Sequence, residues 1–298
     1  MLSDASYVIE VAIEAKSAAD RGKLALALDR MAQEDPSFRA IHDAESGQTI
    51  IRAFGQDQLD MFIDRVTGEF GVHANIGAPQ VAYRETLAGK ATVDHTHKRQ
   101  QTGTGRFARV LITVEPGASG QDVVFVDAVK GGNIPGAYIP AVEKGIRDIA
   151  ATGALIGFPI VDFTVTLADG AYHDVDSSER AFEIAGREAM REAAQKAGII
   201  LLEPIMRVEI VTPPVYVPAI RADLSLRRAH ADEIVPHDDG SLMISMVPLA
   251  TMFGYAQKLL QIGHGRAQYT TRFDHYAPVP PSVLGPDLPP AAAAALRA

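Results

Sequence analysis

The sequence has no cysteine. That removes disulfide frameworks, thiolate zinc sites, iron–sulfur ligation and cysteine nucleophiles together, and it suits a cytosolic setting. Positive charge is scarce as well: 28 Lys and Arg stand against 37 Asp and Glu, a formal net charge of −9. With no general cationic field, any polyanion must meet a local patch. No uninterrupted apolar run is long enough to span a bilayer, and Met1-Leu2-Ser3-Asp4-Ala5-Ser6 lacks the basic and apolar regions of a signal peptide. A soluble, unexported, cytoplasmic protein with no membrane partner is the expectation. What is present is ordinary globular usage, 47% hydrophobic and 22% charged over 298 residues. At roughly 100–200 residues per domain this makes two or three domains, and it excludes both a disordered chain and a tiny stapled fold.

The order of elements comes from periodicity. Tyr7 to Ile13 reads as a strand, and Ser17 caps a helix with Leu24, Leu28 and Met31 at helical spacing, ending before Asp35-Pro36. Phe38 to Asp43 and Gln48 to Phe54 read as a hairpin across the turn Glu45-Ser46-Gly47-Gln48. Leu59, Phe62, Ile63, Val66 and Phe70 form a second apolar stripe before an extended segment at 71–77. The sum is a β-α-β-β-α-β unit.

From about residue 80 the texture changes. A β-like stretch runs from Gln80 to Leu87, a polar, glycine-bearing stretch from Asp94 to Arg106, and strands from Phe107 to Val114 and Asp122 to Ala128. Pro140 opens a helix with Val142, Ile146 and Ile149, Pro159 to Leu167 is strand-like, and Glu179 to Lys196 is a helix stopped by Gly198. From Ile205 the first pattern recurs: strand Met206–Val211, helix Ile220–Arg228, hairpin Glu233–Val235 with Ser241–Val247, a helix opened by Pro248, and strand Ala267–Phe273. Pro278 to Ala298, proline-rich and then alanine-rich, reads as a tail.

Several segments invite a chemical reading. A phosphate-cradling loop needs a first glycine and a hydroxyl after its lysine; around Gly89-Lys90-Ala91, position 84 is Arg and Ala91 has no hydroxyl, so the motif fails. His95-Thr96-His97 places two imidazoles on one side of a strand, but Lys98 and Arg99 beside them disfavour a cation and favour phosphate. Lys90, Lys98, Arg99, Arg106 and Arg109 gather around Gln100, Gln101, Thr102, Gly103, Thr104 and Gly105. This is the clearest cationic patch in an acidic chain, with glycines for close backbone approach and Gln and Thr side chains for base edges or ribose hydroxyls.

Tyr172-His173-Asp174-Val175-Asp176-Ser177-Ser178-Glu179 holds an imidazole, carboxylates and hydroxyls, so a metal-dependent hydrolase at His173, Asp174 and Asp176 is one reading. The simpler one takes Asp176 as N-cap and Glu179 as its N3 partner, leaving His173 in an exposed turn. Arg221, Arg227 and Arg228 mark one late helix, and His264 and Arg266 follow the next; each is either a phosphate contact or a helix-terminal cation.

These segments, taken with Asp35-Pro36-Ser37-Phe38, Pro79-Gln80-Val81-Ala82-Tyr83-Arg84-Glu85-Thr86, Gly131-Gly132-Asn133-Ile134-Pro135-Gly136-Ala137-Tyr138, Leu202-Glu203-Pro204-Ile205-Met206 and Met252-Phe253-Gly254-Tyr255-Ala256, carry a resemblance. The chain resembles the elongation factor G family, the ribosomal translocases, over that family's domains III, IV and V and without its GTPase domain. The resemblance implies an α+β chain: a ferredoxin-like domain over 1–78, a domain similar to a small-subunit ribosomal protein with a left-handed βαβ crossover over 79–203, a second ferredoxin-like domain over 204–276, and a tail over 277–298.

It also implies a role in translation elongation, with the ribosome as partner. Two loop tips of the middle domain, by position Arg99 to Arg106 and the turn of His173 and Asp174, would enter the decoding centre beside transfer and messenger RNA. Arg227, Arg228, His264 and Arg266 would be further ribosome contacts. No catalytic, metal or cofactor site is implied in this chain; GTP and magnesium belong to an intact family member or a separate GTPase partner. A tetracycline-resistance ribosomal protection protein shares the plan, with different tips. This sequence departs from the family at Gly55-Gln56-Asp57-Gln58-Leu59, at Thr102, and at Pro218 to Ala229, which lacks the usual glycines.

Overall fold

A computed structural model describes residues 7–42, 49–99 and 106–283. The chain forms two compact units, one from the residues through Ala82 with Glu203–Ala277, the other from Tyr83–Leu202 with the residues from Pro278 on.

In the first unit, β1 (Ile9–Ala15), α1 (Ala18–Glu34), β2 (Arg39–His42), β3 (Thr49–Ala53), α2 (Gln56–Asp64) and β4 (Ala74–Ile76) follow the expected order. The sheet runs β2-β3-β1-β4, and a short β5 (Gln80–Val81) also pairs with β1. Alternation in β1 buries Ile9, Val11 and Ile13 against Leu24, Ala27 and Met31 of α1 and Leu59 and Phe62 of α2. Each large side chain so buried contributes about 1.5–3 kcal/mol. Ser17 caps α1, its Oγ accepting from the Asp20 N–H. Asp35 ends the helix, its carboxylate accepting from the Ser37 N–H at 2.7 Å. The expected turn at Glu45 to Gln48 lies outside the described residues.

The same topology recurs with β11 (Ile199–Thr212), α5 (Val217–Leu226), β12 (His230–His237), β13 (Gly240–Pro248), α6 (Tyr255–Ile262) and β14 (Gln268–Pro278), in the order β12-β13-β11-β14. Three readings are corrected here. Pro248 closes β13 and opens only the 3-10 turn Leu249–Thr251, and Gly254 at φ 70° separates that turn from α6. The helix around Ile220 stops at Leu226, since Arg228 takes a left-handed φ of 63°. The chain after 276 is not all tail: β14 reaches Pro278, and the buried Val279 donates its N–H to the Leu201 carbonyl at 2.9 Å.

In the second unit, β7 (Ala91–Arg99), β8 (Arg106–Pro116), β9 (Val123–Asp127) and β10 (Phe163–Ala171) form a sheet in the order β7-β8-β10-β9. β10 is antiparallel to β8 and parallel to β9, with α3 (Ile139–Thr152) as the crossover. The polar stretch from Asp94 is thus strand as far as Arg99. The expected strand at Pro159 to Leu167 begins only at Phe163, because Asp162 at φ 57° interrupts the extended chain. The stretch from Gln80 to Leu87 is likewise two short strands, β5 and β6 (Arg84–Leu87), and β6 pairs with residues 199–202 of β11. Within β6, Glu85 is fully buried, and one carboxylate oxygen accepts the N–H groups of Ile156, Gly157 and Phe158 at 2.9–3.0 Å. That bond set holds the loop before β10.

Helix α4 (Glu179–Ala197) packs on β7, β8 and α3 through Ala181, Phe182, Ala185, Ala189, Ala193 and Ala194. Its crossing with α3 is so close that a Cβ on Gly145 would lie 2.1 Å from the Glu183 carbonyl oxygen, and one on Gly186 2.6 Å from that of Val142. Gly145→Ala should therefore destabilise the chain by about 3 kcal/mol, overpacking outweighing the gain in helix propensity. Gly22→Ala, with nothing within 4 Å of the added methyl, should stabilise by up to about 1 kcal/mol. Urea melts of the two variants followed by circular dichroism would check the contrast.

Candidate nucleic-acid interface

The two segments expected to act together are joined by hydrogen bonds. The β7–β8 ladder runs through Lys98↔Phe107 to Arg99↔Arg106, the end where the chain passes from one strand to the other. There the Phe107 N–H donates to the Asp176 carbonyl at 2.9 Å, and Ser177 Oγ donates to the Phe107 carbonyl at 2.7 Å. The turn after β10, carrying His173 and Asp174, is thereby fixed at the same end of the unit as Arg99 and Arg106. Gln100, Gln101, Thr102, Gly103, Thr104 and Gly105 lie outside the described residues.

The turn has its own framework. The Ser177 N–H donates to the His173 carbonyl at 3.0 Å, and the His173 N–H donates to Ser177 Oγ at 2.9 Å. The Val175 and Asp176 N–H groups point at His173 Nδ1, both at 3.4 Å, while the imidazole is 59% exposed. Asp176 belongs to this framework and not to the helix start, which corrects the capping expectation. Ser178 is the N-cap of α4, with extended φ and ψ of −153° and 161° and its Oγ accepting from the Ala181 N–H. Among the described residues, no group of three His, Asp or Glu side chains could hold a metal ion, so His173, Asp174 and Asp176 do not form the metal site of the hydrolase reading.

The cationic patch narrows. Lys90 pairs with Glu115 at 3.0 Å, and Arg109 grips Asp94 through Nε at 2.8 Å and Nη2 at 2.5 Å, holding the Asp94 carboxyl below its usual range. Among the described residues, no carboxylate lies within ion-pair distance of Lys98, Arg99 or Arg106. Beneath them His95 and His97 face α4. His95 Nδ1 is 3.5 Å from Glu192, and His97 Nε2 is buried with no partner among the described residues. Burial pushes the His97 imidazole down, the charges of His95, Arg106 and Arg99 add to this, and Glu188 opposes it.

The late candidates separate into two kinds. Arg227 is committed inside its domain, paired with Asp223 at 2.8 Å, donating to the Thr251 carbonyl and lying 4.9 Å above the Tyr255 ring. Arg228 forms a two-pronged pair with the buried Glu203 at 2.7 and 2.8 Å. Both cations are engaged by groups of their own domain. His264 and Arg266 are exposed, gathered around Tyr216, to whose hydroxyl Arg266 donates. Ser177, which ties the His173 turn to the end of β8, was not singled out by sequence reasoning. A serine four residues after the histidine of a polar turn was the signal available.

The fold defines the class first: an α+β chain in which two ferredoxin-like units accompany a four-stranded domain with a basic end. Residues 5–78 match the family profile described as elongation factor G, domain III, residues 79–198 that of domain IV, and residues 200–285 that of the elongation factor G C-terminus. A crystal structure of a protein from Thermus thermophilus is similar at 33% identity and a TM-score of 0.73, over 95% of this chain and 42% of that one. The chain thus spans less than half of that relative's length. It belongs to the elongation factor G family and carries the family's rear domains. Among the described residues, no helix is long and apolar enough to cross a membrane.

Ser177→Ala removes a donor and an acceptor from the turn, so amide exchange at His173 should accelerate about 5- to 10-fold, as expected for loss of a bond worth about 1 kcal/mol; hydrogen exchange read by NMR checks it. His97 should titrate below 6.5, its ordinary value, in a proton NMR titration. A histidine held neutral gives its stabilisation in full above its unfolded pKa of about 6.5, and stability falls as pH drops below that value.

Proposed function

We propose that this chain acts in translation elongation by binding the ribosome, with the end of β7–β8 and the His173 turn entering the decoding centre against transfer and messenger RNA. The observation that carries the reading is the pair of bonds between Phe107 and Asp176 and Ser177, which holds an exposed imidazole at the same end of the unit as three cations in a chain of net charge −9. Lys98, Arg99 and Arg106 suit phosphate, and the His173 ring suits a hydrogen bond to the RNA backbone. The tip then works as a wedge against reverse movement, and no bond need be broken. His264 and Arg266 give a second, smaller contact in the last domain.

The residues present do not fit a nucleotide. Lys90, in the nearest approach to a phosphate loop, is committed to Glu115, and Ala91 offers no hydroxyl to a magnesium ion. On this reading GTP hydrolysis belongs to an intact family member or to a separate GTPase partner.

The purified chain should cosediment with ribosomes in a salt-sensitive way. Removing one cation, as in Arg99→Ala or Arg106→Ala, should reduce the slope of log affinity against log salt by about 0.7–0.9. His173→Ala should weaken binding while leaving the melting temperature nearly unchanged. Absence of binding even at low salt would sink the proposal.

A further inference from the structure

We infer that the turn after β10 also meets nucleobases, through the apolar faces of Tyr172 and Val175, and so contributes a part of the binding that salt does not weaken. This rests on the reading that this end of the unit meets RNA, and it names the chemistry of the contact.

Val175 is 70% exposed and Tyr172 43% exposed, flanking the exposed His173. A single apolar side chain in water needs no explanation; here the backbone enforces the exposure. Val175 is the midpoint of the turn closed by the Ser177 N–H on the His173 carbonyl, and its own N–H is turned toward His173 Nδ1. The turn is bolted to the strand end through Phe107. An aliphatic group is thus held out at the apex of a prebuilt turn, where little ordering entropy remains to be lost on contact.

The occupant follows from charge. Lys98, Arg99 and Arg106, at the same end, have no carboxylate within ion-pair distance among the described residues, so they attract a polyanion. An apolar protein surface would leave those cations uncompensated. Yet Asp174 stands between His173 and Val175, and a carboxylate repels phosphate while accepting from exocyclic amino groups of bases. Cations at the strand end and an aromatic, an aliphatic and an acid on the turn fit a strand of RNA whose backbone follows the former and whose bases face the latter.

The test measures binding of the full chain to purified ribosomes carrying messenger and transfer RNA at several potassium chloride concentrations, with dimethyl sulfate protection of the bases of all the RNAs present as a second readout. Tyr172→Ala should weaken binding about 10-fold, the scale of one lost base stack, and Val175→Ser about 3-fold by loss of apolar contact. Neither should change the salt slope, and both should lose base protections that the unaltered chain gives. Tyr172→Phe should behave as the unaltered chain. Because both positions are exposed, melting temperatures should hold; if Tyr172→Ala misfolds, Val175→Ser carries the test.

Unchanged affinity in both variants, with binding intact, overturns the inference and leaves the ribosome reading standing. Weakened binding with every base protection retained also overturns it, since the contact would then be with protein. A chain that binds no ribosomes at any salt sinks the underlying reading instead.

Discussion

The second unit depends on how closely one helix approaches its neighbours. α4 lies against α3, β7 and β8 with alanines along its inner face and glycines at the crossing, where added methyls would sit inside van der Waals distance of facing carbonyl oxygens. Small side chains bring little hydrophobic energy individually, but they let backbones pack closely, so dispersion contacts accumulate over the length of the helix. Phe182 then stacks on Tyr138 at 4.9 Å and fixes the helix in rotation. With α4 placed, its first turn is placed, and with it the loop that carries His173.

Placement passes to the candidate interface through neutral hydrogen bonds. Ser178 turns the chain into α4; Ser177, one residue earlier, turns to the strand end and holds Phe107. Two adjacent serines thus divide the labour: one satisfies the helix, the other ties the turn to β8. The charged residues of the interface carry none of this structural load, which leaves Lys98, Arg99 and Arg106 available for a partner. The opposite holds in the last domain, where Arg227 and Arg228 are consumed by Asp223, Tyr255 and Glu203. Adjacent arginines in a sequence look alike; burial of the facing carboxylate decides which are structural.

The same distinction explains the patch around the β7–β8 hairpin. Five cations stand close together in sequence, but period-two alternation and strand pairing send Arg109 across to Asp94 and Lys90 to Glu115. Two of the five are neutralised on the sheet by cross-strand partners more than a dozen residues away. Histidines two apart, a candidate metal pair on spacing alone, instead face a helix whose glutamates are partly engaged with Lys196 and Arg191.

Local pattern was enough to define the two β-α-β-β-α-β units, because alternating strands such as Ile9–Val11–Ile13 and helical stripes such as Leu24–Met31 are set by backbone geometry. Ordered motifs were enough for the family. Where strands break was not legible in the chain, since Asp162 and Arg228 adopt left-handed backbone under tertiary constraint and nothing in their chemistry requires it. Nor was it legible which charges are free, that Ser177 joins the His173 turn to β8, or that Glu85 is wholly buried under three N–H groups. Those depend on groups far apart in the chain meeting at hydrogen-bond distance, and only the folded arrangement of helix, sheet and turn sets that distance.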